Sequence, residues 1–72
     1  MVSPEVSLAL KSYGMRYNKK RQRWESSDVY LRDKDIAELK LWEIDQILSG
    51  IRDGCSSVPL GPEYVFHIKA GS

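Results

Sequence analysis

The longest apolar periodicity in the chain constrains everything else it can do. Ile36, Ala37, Leu41, Ile44, Ile47, Leu48 and Ile51 fall on one broad stripe of a helix. A stripe that wide is stable only when another layer covers it, so the remaining residues must supply that layer. The spacing predicts one long helix, capped by Asp33 or Asp35 and closed near Asp53 by Gly54. Asp35 with Glu38 three residues on matches a capping box. Gly50 lies inside the pattern and weakens it. Lys40 falls within the stripe and is expected to carry its ammonium out to the edge. Leu39 and Trp42 miss the stripe and sit together on the far side, among Glu38, Glu43 and Gln46.

The covering layer comes from both ends of the chain. Ser3 is a good N-cap, Pro4 suits the first helical position and Glu5 complements the helix dipole. Val6, Ala9, Leu10 and Tyr13 follow at helical spacing. Gly14 then stops the helix, with Met15 placed to meet Leu10 across a Schellman-type end. From Met15 the period changes to two. Met15 and Tyr17 alternate with Arg16, and Trp24 alternates with Arg23 and Glu25, around a polar "KKRQ" centre next to Asn18. That is a β-hairpin, with Tyr17 and Trp24 paired on its inner face. Residues 26–28 break the pattern. "VYLR" is either a third short strand or an extended approach to the long helix. "CSSVPLGP" reads as a loop. "EYVFHIKA" reads as one closing strand, with Tyr64, Phe66 and Ile68 on one face and Val65, His67 and Lys69 on the other. The expected fold is α+β in the order α-β-β-(β)-α-β: a small antiparallel sheet, made of the basic hairpin and the C-terminal strand, packed against two helices.

Seventy-two residues make one domain, 1–72, with a single small core and no room for a deep two-shelled cavity. One cysteine excludes an internal disulfide, which suits a reducing, intracellular setting. The N-terminal stretch lacks a charged segment followed by a long apolar run, so no signal peptide is expected. No run approaches the roughly 18–20 apolar residues that spanning a bilayer needs. These points together imply a cytoplasmic protein with no membrane partner.

Net charge is only +1, but it is unevenly spread. Residues 1–34 carry eight cations against Glu5, Glu25, Asp28 and Asp33, for a net of +4. Residues 35–72 carry only Lys40, Arg52 and Lys69 against six acids, for a net of −3. The chain is therefore a dipole in sequence. Its positive pole is "GMRYNKKRQRWE", where Arg16, Lys19, Lys20, Arg21 and Arg23 follow one another with no acid before Glu25. A two-stranded ribbon with cations on its outer face and tip can track phosphates. A solvated turn that keeps an edge strand soluble is the competing reading. Arginine supplies three of the five cations, and its planar fork suits phosphate, which favours binding. Tyr17 and Trp24 could stack on unpaired bases, although ordinary burial favours a core role for both. Leu39 and Trp42, rimmed by acids, have the composition of a protein-binding patch, although tryptophan is more often covered.

The segment also resembles a known unit. "YGMRYNKKRQRWE" after a helix bearing leucines and a lysine (Leu8, Leu10, Lys11) is similar to the helix–Gly–hairpin–Trp unit of HARP domains in annealing helicases. It is also similar to small domains attached to plasmid mobilisation and anti-restriction proteins. Gly14, Arg16, Tyr17, Asn18 and Trp24 occupy the positions of that motif. The resemblance covers residues 8–25 and implies a DNA-handling hairpin.

Chemistry is thinly represented. Cys55, His67 and nearby Asp53 have no diagnostic spacing for a nucleophile and base. One histidine and one cysteine make a poor start for a metal site, and the five glycines are scattered rather than forming a phosphate loop. No catalytic residue, metal or cofactor is expected. The sequence therefore reads as a non-enzymatic regulatory module whose basic hairpin contacts DNA or RNA, in transcription or DNA processing. The alternative is a small phage- or plasmid-type protein that binds and modulates a host machine such as RNA polymerase or a nuclease. In that case the same cations would meet an acidic protein surface.

Overall fold

The computed structural model describes residues 2–26 and 28–71. The first helix, α1, spans Pro4–Ser12. Ser3 caps it, its hydroxyl accepting from the Val6 N–H at 3.3 Å. Its stop follows the sequence. Gly14 takes φ +89°, the Gly14 N–H donates to Lys11 C=O at 2.9 Å, and the Met15 N–H donates to Leu10 C=O at 3.1 Å. This is a Schellman end, and Leu10 and Met15 are both buried in the core beside it. Gly54, at φ +81°, closes the last helix in the same way.

Strands β1 (Arg16–Asn18) and β2 (Arg23–Glu25) form the expected hairpin, with Tyr17 opposite Trp24. "VYLR" is a full strand, β3 (Val29–Arg32), which pairs antiparallel with β2 and sets Leu31 opposite Trp24. The break expected at residues 26–28 includes Ser27, which lies outside the described residues.

The long helix is two helices. β3 runs straight into α2 (Asp33–Ile36), and a separate helix, α3, spans Leu41–Arg52. Nothing in "AELKLW" breaks a helix, so the interruption is a tertiary effect. The Leu39 N–H donates to Ile36 C=O at 3.1 Å in a tight final turn, and Leu39 packs against the core. α3 then restarts with a new phase. Glu43, not Glu38, supplies the carboxylate at the helix start, accepting from the Lys40 N–H at 2.7 Å, and the Lys40 side chain has no acceptor with which to return the bond. The new phase buries Ile44, Ile47 and Leu48 but leaves Leu41 exposed, contrary to its place on the expected stripe. Lys40 is an exposed cap residue rather than a member of an apolar face.

The C-terminal half also differs from the expectation. The loop "CSSVPLGP" contains a strand, β4 (Ser57–Pro59). The closing strand is two: β5 (Val65–His67) pairs with β4, and β6 (Lys69–Ala70) pairs with β3. Ile68 is the joint, buried, with its N–H donated to Ser56 C=O at 2.8 Å. One chain segment thus serves two sheets, a four-stranded one in the order β1-β2-β3-β6 and a β4-β5 pair. Alternation survives the split, since Phe66 and Ile68 are buried, but Tyr64 stands in the turn before β5 and is exposed. The α+β class and the antiparallel sheet agree with the sequence.

Among the described residues, thirteen apolar ones form one core between the three helices, the inner face of the large sheet and the β4-β5 pair. Gly50 is part of that packing. A methyl group there would collide with the Val58 Cγ2, so β4 lies against α3 at a distance only glycine permits.

Candidate nucleic-acid interface

Strand parity divides the hairpin's residues. Tyr17, Trp24 and Leu31 form one row across β1, β2 and β3 on the inner face. The rows on either side point outward: Arg16, Glu25, Tyr30 and Lys69 in one, Asn18, Arg23 and Arg32 in the other. The outer face therefore gathers cations from four strands. Arg32, Tyr30 and Lys69 were not among the sequence candidates. The period-two alternation of "VYLR" and "HIKA" is the signal that marks them.

Two of the outward arginines are already engaged. Arg23 Nε donates to Glu25 Oε2 at 2.5 Å, and its guanidinium carbon lies 4.1 Å over the Tyr30 ring. Its side chain keeps only 14% of its exposure. Arg32 Nε donates to Asp35 Oδ2 at 2.7 Å. Glu25 also accepts from Asn18 Nδ2 at 3.3 Å. Its hydrogen bond from Arg23, and next that from Asn18, hold the Glu25 carboxyl below the ordinary carboxylate value. Charge in the middle of the sheet is thereby compensated.

The tip is different. Lys19, Lys20 and Arg21 are exposed there, and Arg16 is exposed at the other end of β1, across from Glu25; none of the four has an ion-pair partner among the described residues. The tip is nevertheless shaped. Asn18 Oδ1 accepts from the Arg21 N–H three residues on, at 3.2 Å, which closes the loop through a side chain. Gln22 takes φ +51°, and its C=O accepts from the Asp33 N–H at 3.0 Å, pinning the loop to the start of α2. Lys34 comes next to the tip through that link. Arg21, Gln22, Arg32, Asp33 and Lys34 line a 370 Å³ cleft.

The two aromatics separate. Trp24 is 3% exposed and belongs to the core, while Tyr17, on the same face, is 41% exposed. Their ring centroids are 5.2 Å apart at 56°. β1 is the edge strand, so Tyr17 has a strand neighbour on one side only, whereas Trp24 on β2 is flanked by Tyr17 and Leu31. Leu39 packs on the core, so the two residues of the expected protein-binding patch part company. Trp42 remains exposed at 53% and its neighbour is Leu41. The apolar patch on the acidic helix is Leu41 with Trp42.

Cys55 lies exposed in a loop and His67 exposed on β5, with no hydrogen bond between them among the described residues. No group of three or more His, Cys, Asp or Glu side chains converges there or elsewhere among the described residues. No helix among them is long and apolar enough to cross a membrane. Comparisons with family models, with curated proteins and with solved structures find no match, so the HARP-like resemblance of residues 8–25 rests on its motif alone.

Proposed function

We propose that this chain is a regulatory binding module whose hairpin tip contacts nucleic-acid phosphates. The observation that carries the reading is the contrast in pairing. Arg23 and Arg32 have acidic partners, whereas Arg16 on β1 and Lys19, Lys20 and Arg21 in the turn have none among the described residues. Unpaired, exposed cations on a conformationally defined loop release counterions when phosphate binds, which is the main source of non-specific affinity. The HARP-like motif in the same segment points the same way, towards DNA handling.

NMR titration with a duplex, a single strand and an RNA hairpin at about physiological salt tests this reading. Amide shifts centred on residues 16–22, fading steeply with added salt, are the expected result. Silence from all three ligands refutes it. A second reading has its own observation: Leu41 and Trp42 stand exposed beside Asp45 on α3, a surface suited to a protein partner. Recovery of a host protein, lost on Trp42→Ala and unaffected by nucleic acid, would favour it.

A further inference from the structure

We propose that the nucleic acid is single-stranded and that one unpaired base enters the cleft between α1 and the hairpin, stacked on Tyr17. This proposal rests on the nucleic-acid reading above and specifies its ligand. The cleft has a volume of 620 Å³, within the range of small-ligand sites. Val2 and Pro4 of the α1 end form one wall, and Tyr17 and Trp24 form the other. Tyr17 is held by its contact with Trp24, yet keeps much of its ring open. It is a prepositioned flat surface in an apolar recess. Bases in a duplex have their faces covered by their neighbours, so only an unpaired base can use such a surface.

The cleft continues into the cationic one. Gln22 and Asp33 line both, so the aromatic recess opens directly towards Arg21 and Lys34. Lys11 stands at the α1 wall as a further cation. A base in the recess therefore leaves its flanking phosphates among lysine and arginine. Asp33 sits at the junction, without an ion-pair partner among the described residues. It disfavours a phosphate there and offers an acceptor to base N–H groups. Trp24 lines the same wall and backs Tyr17, but its indole N–H is buried without an acceptor among the described residues and is closed to a ligand, so the base meets ring surface there.

The test is NMR titration of the intact chain with a short mixed-sequence DNA strand, its RNA equivalent, the DNA strand annealed to its complement, and a polyglutamate peptide. The expected result is shifts at Ser7 and Lys11 of α1 together with the hairpin, produced by the single strands and absent with the duplex. Tyr17→Ser should lower single-strand affinity roughly 5- to 150-fold, the loss of one stacked base, and leave the salt dependence unchanged. Tyr17→Phe should retain affinity within about twofold, because the ring is kept. Shifts confined to the hairpin tip, or equal shifts with duplex, overturn the cleft site while leaving the hairpin reading intact. No shifts with any nucleic acid overturn both. The same α1 shifts from polyglutamate overturn the proposal in favour of an acidic peptide site. If Tyr17→Ser does not fold, the shift pattern of the unaltered chain decides alone.

Discussion

Arg21 and Arg23 lie two residues apart in the same hairpin, and replacing each by glutamine should have different consequences. Arg23 is spent on Glu25 and Tyr30, while Arg21 has no acidic partner among the described residues. If the four unpaired cations of the hairpin, Arg16 and the three at the tip, each meet one phosphate, log affinity for a single strand should fall with log salt at a slope of about −2.8. Raising salt from about 50 to 200 mM would then weaken binding about 50-fold. Arg21→Gln should reduce the slope to about −2.1 and the loss to about 20-fold. Arg23→Gln should leave both near the original values. Glu25→Gln should have the opposite effect, since releasing Arg23 steepens the slope to about −3.5. Fluorescence anisotropy of a labelled strand across a salt series reads all four proteins, with thermal melts to confirm that each is folded. Equal slopes for Arg21→Gln and Arg23→Gln would mean that ion pairing does not decide which cations reach phosphate.

Three further predictions concern the fold. Gly50→Ala should destabilise the protein in urea unfolding, because an overpacking cost of about 1–3 kcal/mol against Val58 outweighs a helix-propensity gain of up to about 1 kcal/mol; a stabilised variant would contradict the close approach of β4 to α3. Leu39→Ala should cost about 1–2 kcal/mol and Trp42→Ala about 0.5 kcal/mol or less, an order that a continuous helix would not produce. Glu25 has a folded value below its ordinary 4.5, so its contribution is complete above that value and is lost as pH falls through the lowered one. Urea midpoints measured at falling acid pH should drop less steeply for Glu25→Gln, and an unchanged profile would show that the Arg23 and Asn18 contacts do not stabilise the sheet.

Only part of the candidate interface was legible in the chain. The run from Arg16 to Arg23 marked the hairpin and its turn, because alternation and turn residues act locally. It did not reveal that Arg23 is neutralised, although Glu25 stands two residues away on the same strand face. Lys11 entered only as the helix lysine of the HARP-like resemblance and not as a site residue. It reaches the recess only because α1 folds back beside β1. Tyr17 and Trp24 look equivalent in alternation, and the edge position of β1 is what leaves one open and buries the other.

The same division holds for the whole molecule. Features that depend on neighbours a few residues apart follow from the chain directly: the Ser3 cap, the Schellman stops at Gly14 and Gly54, the hairpin register and the α+β class. Tertiary structure alone decided where long elements are cut. No residue between Ile36 and Leu41 breaks a helix, and none between Val65 and Ala70 breaks a strand. In the first case a continuous helix would point Leu39 away from the core, and the break allows it to pack there while Leu41 turns out. In the second, Ile68 occupies the core while the residues on either side complete different sheets. Propensity differences of a few tenths of a kcal/mol per residue are smaller than the burial of one such side chain, so a core this small dictates where its helices and strands end.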